Sequence, residues 1–181
     1  INSIVKPLLS WYQSEKRILP FRGIDDPYKI WLSEIMLQQT QVKTVVPYYN
    51  RWIKRYPSIK SVAVADLSAV LKMWEGLGYY NRCRNFHTAA KIVVKNFNGI
   101  IPNDWENLSS LPGVGDYTAA AILSIAFNKP YAVMDGNAKR VMSRILGIKN
   151  LTSWNLSRIE NTLTNIIPEH TPGNFNQSIM E

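Results

Sequence analysis

Apolar side chains recur along most of this chain with the spacing of an amphipathic helix. The clearest series runs i, i+3, i+4, i+7 and consists of Leu67, Val70, Leu71 and Trp74. Two further series have helical spacing and consist of Phe86, Ala90, Val93 and Phe97, and of Leu156, Ile159, Leu163 and Ile166. Residues spaced in this way lie on one face of a helix. Segment 62–65 comes nearest to the alternation of a strand and is too short to form one. The pattern predicts an all-α fold.

Residues that start and stop helices support this periodicity. Asp26 followed by Pro27 is typical of an N-cap and a first helical position, and Asp66 is a suitable N-cap for the series that follows it. Asn98 and Gly99 tolerate the left-handed conformation that ends a helix. Besides the periodic series we predict helices at about 3–14, 27–39, 44–56, 104–110, 116–127, 137–147 and 174–181.

Composition indicates a folded protein with an excess of positive charge. Hydrophobic residues make up 46% of the 181 residues and charged residues 19%, a balance that favours a packed core over disorder. Lys and Arg number 21 against 13 Asp and Glu, which gives a net charge of +8. This excess favours a polyanionic partner such as nucleic acid, and a solubilising surface charge is the alternative. No apolar run reaches the roughly 18–20 residues that span a bilayer, so no membrane partner is expected.

Cys83 is the only cysteine of the sequence. One thiol excludes an internal disulfide, and it excludes any metal site built from several thiolates of this chain. Because Cys83 falls in a helical stretch, we expect a buried and unreactive thiol. No metal or cofactor is expected within these residues.

The segment Leu111-Pro112-Gly113-Val114-Gly115 lies between the predicted helices 104–110 and 116–127. Two glycines two positions apart can take backbone conformations closed to other residues and can present bare N–H groups on one side. The following helix adds the positive end of its dipole. Such a hairpin predicts a cradle for a DNA phosphate that does not read base sequence. An ordinary tight turn between helices is the alternative.

Positive side chains are grouped in two further segments. One group lies on the predicted helix 137–147 and consists of Lys139, Arg140 and Arg144. The other alternates cations with aromatic rings and consists of Tyr79, Tyr80, Arg82 and Arg84. Such a mixture suits a surface that follows a nucleic-acid backbone and stacks on bases. Helix charges that face water would give the same pattern.

Two carboxylates lie in unusual surroundings. Glu34 is the only charge in the apolar segment 31–37, where loss of hydration is expected to raise its pKa and keep a proton for general acid catalysis. A glutamate whose head reaches solvent is the alternative. Asp135 precedes the predicted basic helix, whose dipole favours the ionised carboxylate, and a plain N-cap is the alternative there. A protonated acid and an anion together can cleave a glycosidic bond through an oxocarbenium-like transition state.

A long ordered series of motifs resembles one family of DNA repair enzymes. In chain order the motifs are 19–22, 26–28, 31–41, 76–80, Arg82, 84–85, the hairpin 111–115, 134–137 and 139–141. With these motifs the chain resembles the helix-hairpin-helix (HhH-GPD) glycosylase superfamily and, within it, the MutY-type adenine DNA glycosylases. The resemblance covers almost the whole chain.

The resemblance implies a fold of two helical lobes. The first is a six-helix lobe over residues 27–130 that carries the helix-hairpin-helix motif at 104–127, and the second combines 1–26 with 131–181. In the family, a 4Fe-4S cluster and then a domain that inspects 8-oxoguanine follow the position of Glu181. We therefore expect an incomplete second lobe, truncated before the cluster, and a helix 174–181 that lacks an anchor.

The resemblance also implies a reaction, the removal of adenine mispaired with 8-oxoguanine or guanine in double-stranded DNA. Glu34 matches the acid that protonates the adenine ring, Asp135 the carboxylate that stabilises the sugar cation, and Asn137 a residue that supports the catalytic centre. Gln39 matches the wedge that fills the space left by the flipped base, and Tyr79 matches an intercalating residue. The residues expected to line the adenine pocket are Arg17, Leu19, Arg22 and Trp31. The other residues expected to bind DNA are Gly113, Val114, Gly115, Arg82 and Lys139.

Tyr117 stands where relatives with lyase activity carry a lysine, two residues past the last glycine of the hairpin. That lysine forms a Schiff base with the sugar. A phenol cannot form an imine, so Tyr117 in the catalytic site implies a monofunctional hydrolase. Mismatch-specific thymine glycosylases of the superfamily also carry tyrosine there, so this residue does not choose the substrate. Phe21 replaces the tryptophan usual in the family and keeps an aromatic wall.

Two alternatives remain open. The first is a thymine or uracil mismatch glycosylase on the same scaffold. The second is a non-catalytic helix-hairpin-helix module, which would bind DNA in a salt-sensitive manner and form no abasic product. The favoured enzyme is expected to be a monomer in the bacterial cytoplasm beside the nucleoid, or in the nucleus or mitochondrion of a eukaryote.

Overall fold

The computed structural model describes residues 2–181, and every regular element in this range is helical. A 3₁₀ turn, Asn2–Ile4, is followed by eleven α-helices. They are α1 (Val5–Glu15), α2 (Pro27–Leu37), α3 (Val42–Arg55), α4 (Ile59–Ala63), α5 (Leu67–Trp74), α6 (Tyr80–Phe97), α7 (Trp105–Ser109), α8 (Asp116–Ala126), α9 (Gly136–Ile145), α10 (Ser153–Ile166) and α11 (Pro172–Met180). The all-α prediction is confirmed.

The structure has helix ends at all three positions where local signals predicted them, but only two of the signals act as predicted. The Asp26 carboxylate accepts the N–H groups of Tyr28 at 3.0 Å and Lys29 at 3.2 Å, and α2 begins at Pro27. At the end of α6, Asn98 takes φ 55° and Gly99 φ 81°. Asp66 occupies the N-cap position of α5 but makes no side-chain capping bond. Two of the three local signals therefore act as predicted.

Helix α4 was not predicted from the periodicity. The segment that came nearest to a strand contains the end of this five-residue helix. A reciprocal pair of bonds starts it, because the Ser58 hydroxyl accepts from the Ser61 N–H at 3.3 Å and the Ser61 hydroxyl accepts from the Ser58 N–H at 3.1 Å. Ile59 and Val62 are buried. So short a helix is fixed by its cap and its burial, not by a repeating pattern.

The chain divides into two compact units. The six-helix unit, Leu19–Ala119, contains α2 to α7 and the first turn of α8, and the terminal unit combines Ile1–Ile18 with Ala120–Glu181. The sequence placed these divisions after residues 26 and 130. The rest of α8 belongs to the terminal unit because it packs against α11, where a Cβ on Gly173 would lie 2.8 Å from the Cα of Ile125.

The core of the six-helix unit is aromatic. The Phe86 ring of α6 lies at its centre, with centroid distances of 4.9 Å to Trp31 of α2 and 6.1 Å to Trp52 of α3. The Trp52 ring meets Trp74 of α5 edge-on at 5.6 Å. The Trp52 indole N–H also donates to the hydroxyl of Tyr28 at 3.0 Å. Helix α2 is thereby fixed against α3 and α6.

Helix α11 of the terminal unit is anchored, which corrects the expectation that it would lack an anchor. Seven of its nine residues are buried, and Phe175 and Ile179 join the core of this unit with side chains of α9 and α10. The Tyr12 hydroxyl of α1 donates to the Gln177 amide. Just beyond the helix, the Arg17 backbone N–H, Nε and Nη2 each donate to the Glu181 carboxylate at 2.8 Å, and this bonding raises the pKa of Arg17. Packing within the unit supplies the anchor.

Asn176 connects α11 to the segment before α9. Its amide nitrogen donates to the Tyr131 carbonyl at 2.8 Å and to the Ser124 hydroxyl at 2.9 Å, and its amide oxygen accepts the Val133 N–H at 3.1 Å. The side chain is buried, so these bonds replace water that the three partners would otherwise need.

The Cys83 thiol is buried in the six-helix unit, and burial raises its pKa to about 12. The expectation of a buried thiol is confirmed. Among residues 2–181, no helix combines the length and the apolar character that crossing a membrane requires.

The Asn176 network predicts a stability difference between two asparagines of one helix. Asn176→Ala removes one hydrogen-bond partner from the buried Ser124 and Val133 and from the half-buried Tyr131 carbonyl, so we expect a loss of about 3 kcal/mol in the free energy of unfolding. Asn174→Ala is the matched control because Asn174 is exposed on the same helix, and its change is expected to stay within about 0.5 kcal/mol. Urea unfolding measures both, and equal losses would contradict the network.

Candidate active site

Glu34 is buried in α2, with 7% of its surface exposed. The residues around it in the helix, from Ile30 to Met36, are all buried as well. The predicted loss of hydration is confirmed, and the alternative of a solvent-reaching glutamate is wrong. A buried carboxyl group requires a hydrogen-bonding partner.

The Tyr117 hydroxyl supplies such a partner and donates to Glu34 Oε2 at 2.6 Å. Just past the end of α2, the Gln38 amide nitrogen donates to the Thr118 hydroxyl at 3.2 Å. Two neighbouring residues at the start of α8 therefore bond to one residue within α2 and to the residue that follows the helix. Gln38 and Thr118 were not predicted as site residues from the sequence. The signal that could have identified Gln38 is its i, i+4 spacing from Glu34, which is typical of side chains on the same side of a helix.

The bond from Tyr117 limits the movement of the Glu34 carboxyl group. Because the phenol O–H donates to one carboxyl oxygen, rotation of the Glu34 head is restricted and the group is held in one orientation. Proton transfer in catalysis requires such a fixed donor within hydrogen-bond reach of the reacting atom. A carboxyl group held in this way can act as a positioned proton donor or acceptor.

The hairpin 111–115 uses its two glycines differently. Gly113 has φ 79°, and a Cβ there would lie 2.8 Å from the Cβ of Asn85. Gly115 is outside the left-handed region, and a Cβ there would meet nothing within 4 Å. The expectation of an unusual backbone is right for Gly113 and wrong for Gly115. Val114 between them is buried, which turns the hydrophobic side of the hairpin inward.

Gln39 and Tyr79, the two residues expected to enter the DNA stack, line the same cleft of about 320 Å³. Both are exposed and both have left-handed backbones, with φ 57° at Gln39 and φ 48° at Tyr79. The other residues of the cleft are Gln38, Tyr80, Asn81 and Arg82. The structure thus brings together two residues that lie forty positions apart in the sequence.

Asp135 is the N-cap of α9, and its carboxylate accepts the Ala138 N–H at 2.6 Å. The Asn137 amide nitrogen donates to the other carboxylate oxygen at 3.1 Å. The N-cap alternative is therefore confirmed, and Asn137 contacts the group it was expected to support. Each carboxylate oxygen of Asp135 thus accepts one N–H donor, which fixes the orientation of the side chain.

The four residues expected to line a base pocket differ in burial and in the unit to which they belong. Trp31 is fully buried against Phe86, so in this structure it is a core residue and not an exposed pocket wall. Leu19 and Arg22 are half-buried in the six-helix unit. Arg17 belongs to the terminal unit, where it binds Glu181.

The two expected DNA-binding cations also differ. Lys139 is half-buried on α9. Arg82 directs its guanidinium onto backbone carbonyls of its own unit.

The candidate residues divide between the two units. The six-helix unit holds Glu34, Tyr117, Gln39, Tyr79 and the hairpin, and the terminal unit holds Asp135, Asn137, Lys139 and Arg17. The action of Glu34 and Asp135 on one nucleoside stays a prediction.

Among residues 2–181 there is no group of three or more His, Cys, Asp or Glu side chains that could hold a metal ion. A cluster with four cysteine ligands does not fit this chain, because Cys83 is its only cysteine and is buried. None of the chemistry proposed for these residues passes through an iron–sulfur cluster.

The family model for HhH-GPD superfamily base excision DNA repair proteins matches residues 32–169. The chain belongs to this superfamily. The match contains Glu34, the hairpin and Asp135, which are the candidate residues on which the site was built.

Relatives of this HhH-GPD chain carry the name adenine DNA glycosylase. The protein of Buchnera aphidicola subsp. Baizongia pistaciae is 43% identical over 175 residues, which cover 96% of this chain and 50% of the relative. The Homo sapiens protein is 42% identical over 185 residues, which cover 96% of this chain and 34% of the relative. The chain spans about half the length, or less, of the curated relatives it matches.

Solved structures agree with the fold. A thermostable thymine-DNA glycosylase superposes with a TM-score of 0.89 at 28% identity, over 98% of this chain and 83% of the other. Endonuclease III in a non-covalent DNA complex superposes with a TM-score of 0.79 at 22% identity, over 99% of this chain and 84% of the other. The all-helical HhH-GPD fold is thereby confirmed for this chain.

The two glycines of the hairpin predict opposite responses to a methyl group. Gly113→Ala combines a left-handed backbone with a contact that must shift, so we expect a loss of about 2 kcal/mol in the free energy of unfolding. Gly115→Ala is expected to change it by less than about 0.5 kcal/mol. Urea unfolding of both variants is the measurement, and a larger loss in Gly115→Ala would contradict the described hairpin.

Proposed function

We propose that this chain is the catalytic part of an adenine DNA glycosylase that hydrolyses the N-glycosidic bond of adenine opposite 8-oxoguanine or guanine. The observation that carries the proposal is the buried Glu34 carboxyl, held by the Tyr117 hydroxyl at 2.6 Å. Relatives that cover 96% of the chain at 42–43% identity and bear this name support it. Because the chain spans half of those relatives or less, the activity, substrate and partner are proposals.

DNA binding comes first in the proposed mechanism. The hairpin 111–115 holds a phosphate through its backbone, and the adenine leaves the base stack at a cost of a few kcal/mol. Gln39 and Tyr79 then fill the gap, which the exposure of both side chains in one cleft supports. Arg22 and Leu19 line the pocket that receives the base.

Bond cleavage follows. Glu34 donates its proton to a ring nitrogen of adenine while the bond from the base to the sugar C1′ breaks, and the bonding electrons leave with the base. The Asp135 carboxylate stabilises the positive charge that develops on the sugar. A water molecule then adds to C1′ and gives one proton back to the Glu34 carboxylate. The products are free adenine and an abasic site, and Glu34 is again protonated.

Cleavage of the DNA backbone is not part of the proposal. A lyase requires an amine that attacks the sugar, and the corresponding position holds Tyr117, whose hydroxyl bonds to Glu34. The proposed substrate is double-stranded DNA, and the proposed enzyme is a monomer. It would act in the bacterial cytoplasm beside the nucleoid, or in the nucleus or mitochondrion of a eukaryote.

A second candidate function is thymine excision from a mismatch. The superposition with a thymine-DNA glycosylase, at a TM-score of 0.89 and 28% identity, favours it. The higher identity to adenine glycosylases favours the first candidate.

Removing the proton of residue 34 tests the proposed acid. We expect Glu34→Gln in the whole protein to lower the single-turnover rate of adenine excision by at least about 100-fold, since the amide cannot donate an acidic proton. Affinity for the duplex should be unchanged, because the amide has nearly the same shape. Glu106→Gln makes the same change at an exposed position and should keep the wild-type rate. Undiminished excision by Glu34→Gln at matched DNA affinity would refute the assignment.

Base release distinguishes the candidate functions. Duplexes with adenine opposite 8-oxoguanine, adenine opposite guanine, and thymine opposite guanine are incubated with the whole protein, and abasic sites are counted. We expect release from the two adenine duplexes, at a rate at least about ten times that from the thymine duplex. Faster thymine release would establish the second candidate. Salt-sensitive binding with no abasic product on any duplex would indicate a non-catalytic module.

A further inference from the structure

Arg82 on α6 caps the carboxyl-terminal end of α2 by donating hydrogen bonds to its last carbonyls. Its Nη1 donates to the carbonyls of Ile35 at 2.8 Å and Met36 at 3.0 Å, and to the carbonyl of Gln38. Its Nη2 donates to the Thr40 hydroxyl at 3.2 Å. The last carbonyls of a helix have no partner within the helix and carry its negative dipole end. One cation therefore satisfies the end of the helix that carries the candidate acid.

The same guanidinium also holds a second segment. Its Nη2 donates to the carbonyls of Gly78 at 3.2 Å and Leu77 at 3.4 Å, and its Nε donates to the Tyr79 carbonyl at 3.4 Å. The guanidinium carbon lies 5.4 Å from the ring centroid of Trp74 and 5.3 Å from that of Tyr79. Burial lowers the pKa of Arg82, as expected for a cation removed from water.

Arg82 joins the end of α2 and the residues after it to the segment before α6. These two segments carry Gln39 and Tyr79, the residues proposed to fill the gap left by the extruded base. Gln39 lies between Gln38 and Thr40, and Tyr79 follows Gly78 directly. Both have positive φ angles without being glycine, which is unfavourable for a residue with a Cβ. Bonds on either side of Gln39 and at Tyr79 itself keep these backbones in place.

The five N–H groups of Arg82 face seven acceptors within its own unit. A phosphate contact would have to break some of these bonds. The expectation that Arg82 binds DNA directly is therefore less favoured by the geometry than an indirect role. A planar fork that reaches several carbonyls at once is available to arginine and not to lysine.

We propose that Arg82 is a positioning residue that fixes Gln39 and Tyr79 at a set spacing, so that both enter the DNA stack together when a base is extruded. Arg82 contacts neither the base nor the phosphate in this role. The inference rests on the proposed function, because it assigns Gln39 and Tyr79 to the gap left by the base.

The first experiment measures the segments themselves. Amide hydrogen exchange is followed in the whole protein without DNA, for the wild type, Arg82→Lys and Arg51→Lys. Arg51 is the matched control because it is an exposed arginine of the same unit that also lies over a tyrosine ring, 4.4 Å from Tyr48. We expect Arg82→Lys to speed exchange at least ten-fold in segments 38–41 and 77–80 and to leave the remaining helices of the unit unchanged. Unchanged exchange in both segments, or an increase throughout the unit, would overturn the proposal.

The second experiment measures base extrusion separately from cleavage. In a Glu34→Gln background, 2-aminopurine beside the target adenine reports unstacking by its fluorescence. Adding Arg82→Lys is expected to slow the fluorescence rise at least ten-fold at saturating protein, whereas adding Arg51→Lys should not change it. An unchanged rate with Arg82→Lys would overturn the positioning role. Absence of any rise in the Glu34→Gln parent would count against the proposed function, and the exchange experiment would still decide the role of Arg82.

The third experiment distinguishes positioning from phosphate binding. Affinity for the duplex is measured against salt concentration for Arg82→Gln and Arg51→Gln. A lost phosphate contact lowers the slope of log K against log salt by about one. We expect the slope of Arg82→Gln to equal that of the wild type. A slope lower by one in Arg82→Gln would make Arg82 a phosphate ligand and overturn the proposal.

Discussion

The hydrogen bond from the Tyr117 hydroxyl to the buried Glu34 carboxyl is the contact on which the proposed chemistry of the six-helix unit depends. A carboxyl group inside an apolar helix is costly unless a polar partner meets it, and this partner is two residues past the hairpin. The same bond that makes the burial of Glu34 tolerable therefore fixes the hairpin 111–115 relative to the candidate acid. The Gln38 to Thr118 bond repeats this connection one turn away. A phosphate held by the hairpin would lie at a set distance from the acid.

The sequence predicts best those features whose partners are neighbours in the chain. The cap at Asp26, the stop at Asn98 and Gly99, and the left-handed Gly113 each depend on a few adjacent residues, and the structure has all three. Helix α4 was missed because five residues are fewer than two turns and show no period. Gly115 was misjudged for a related reason, since the residue type permits a left-handed backbone and does not require one.

Contacts between residues far apart in the sequence were not predicted, because no local pattern indicates them. Arg82 looked like a surface cation because its spacing beside tyrosines is typical of one. Its carbonyl acceptors at the end of α2 and just beyond it lie 44 to 47 positions away. Helix α11 was expected to lack an anchor because the family's cluster was the anchor considered. The bond from Tyr12 joins positions 165 apart, and the bonds from Arg17 join positions 164 apart. The resemblance supplied the roles of the site residues but not the contacts that hold them.

The left-handed backbones of Gln39 and Tyr79 connect local backbone conformation with contacts between residues distant in the sequence. Each costs about 1–2 kcal/mol relative to an ordinary conformation, and a strained residue persists only where its surroundings determine it strongly. Flexible loops could reach the same positions without this cost, but they would have to be ordered during DNA binding, when base extrusion already requires energy. In the free protein, the bonds of the Arg82 guanidinium already offset the backbone strain of Gln39 and Tyr79. That strain therefore does not weaken DNA binding when the base is extruded. A half-buried cation with seven internal acceptors therefore suits the proposed insertion of two side chains into a stacked duplex.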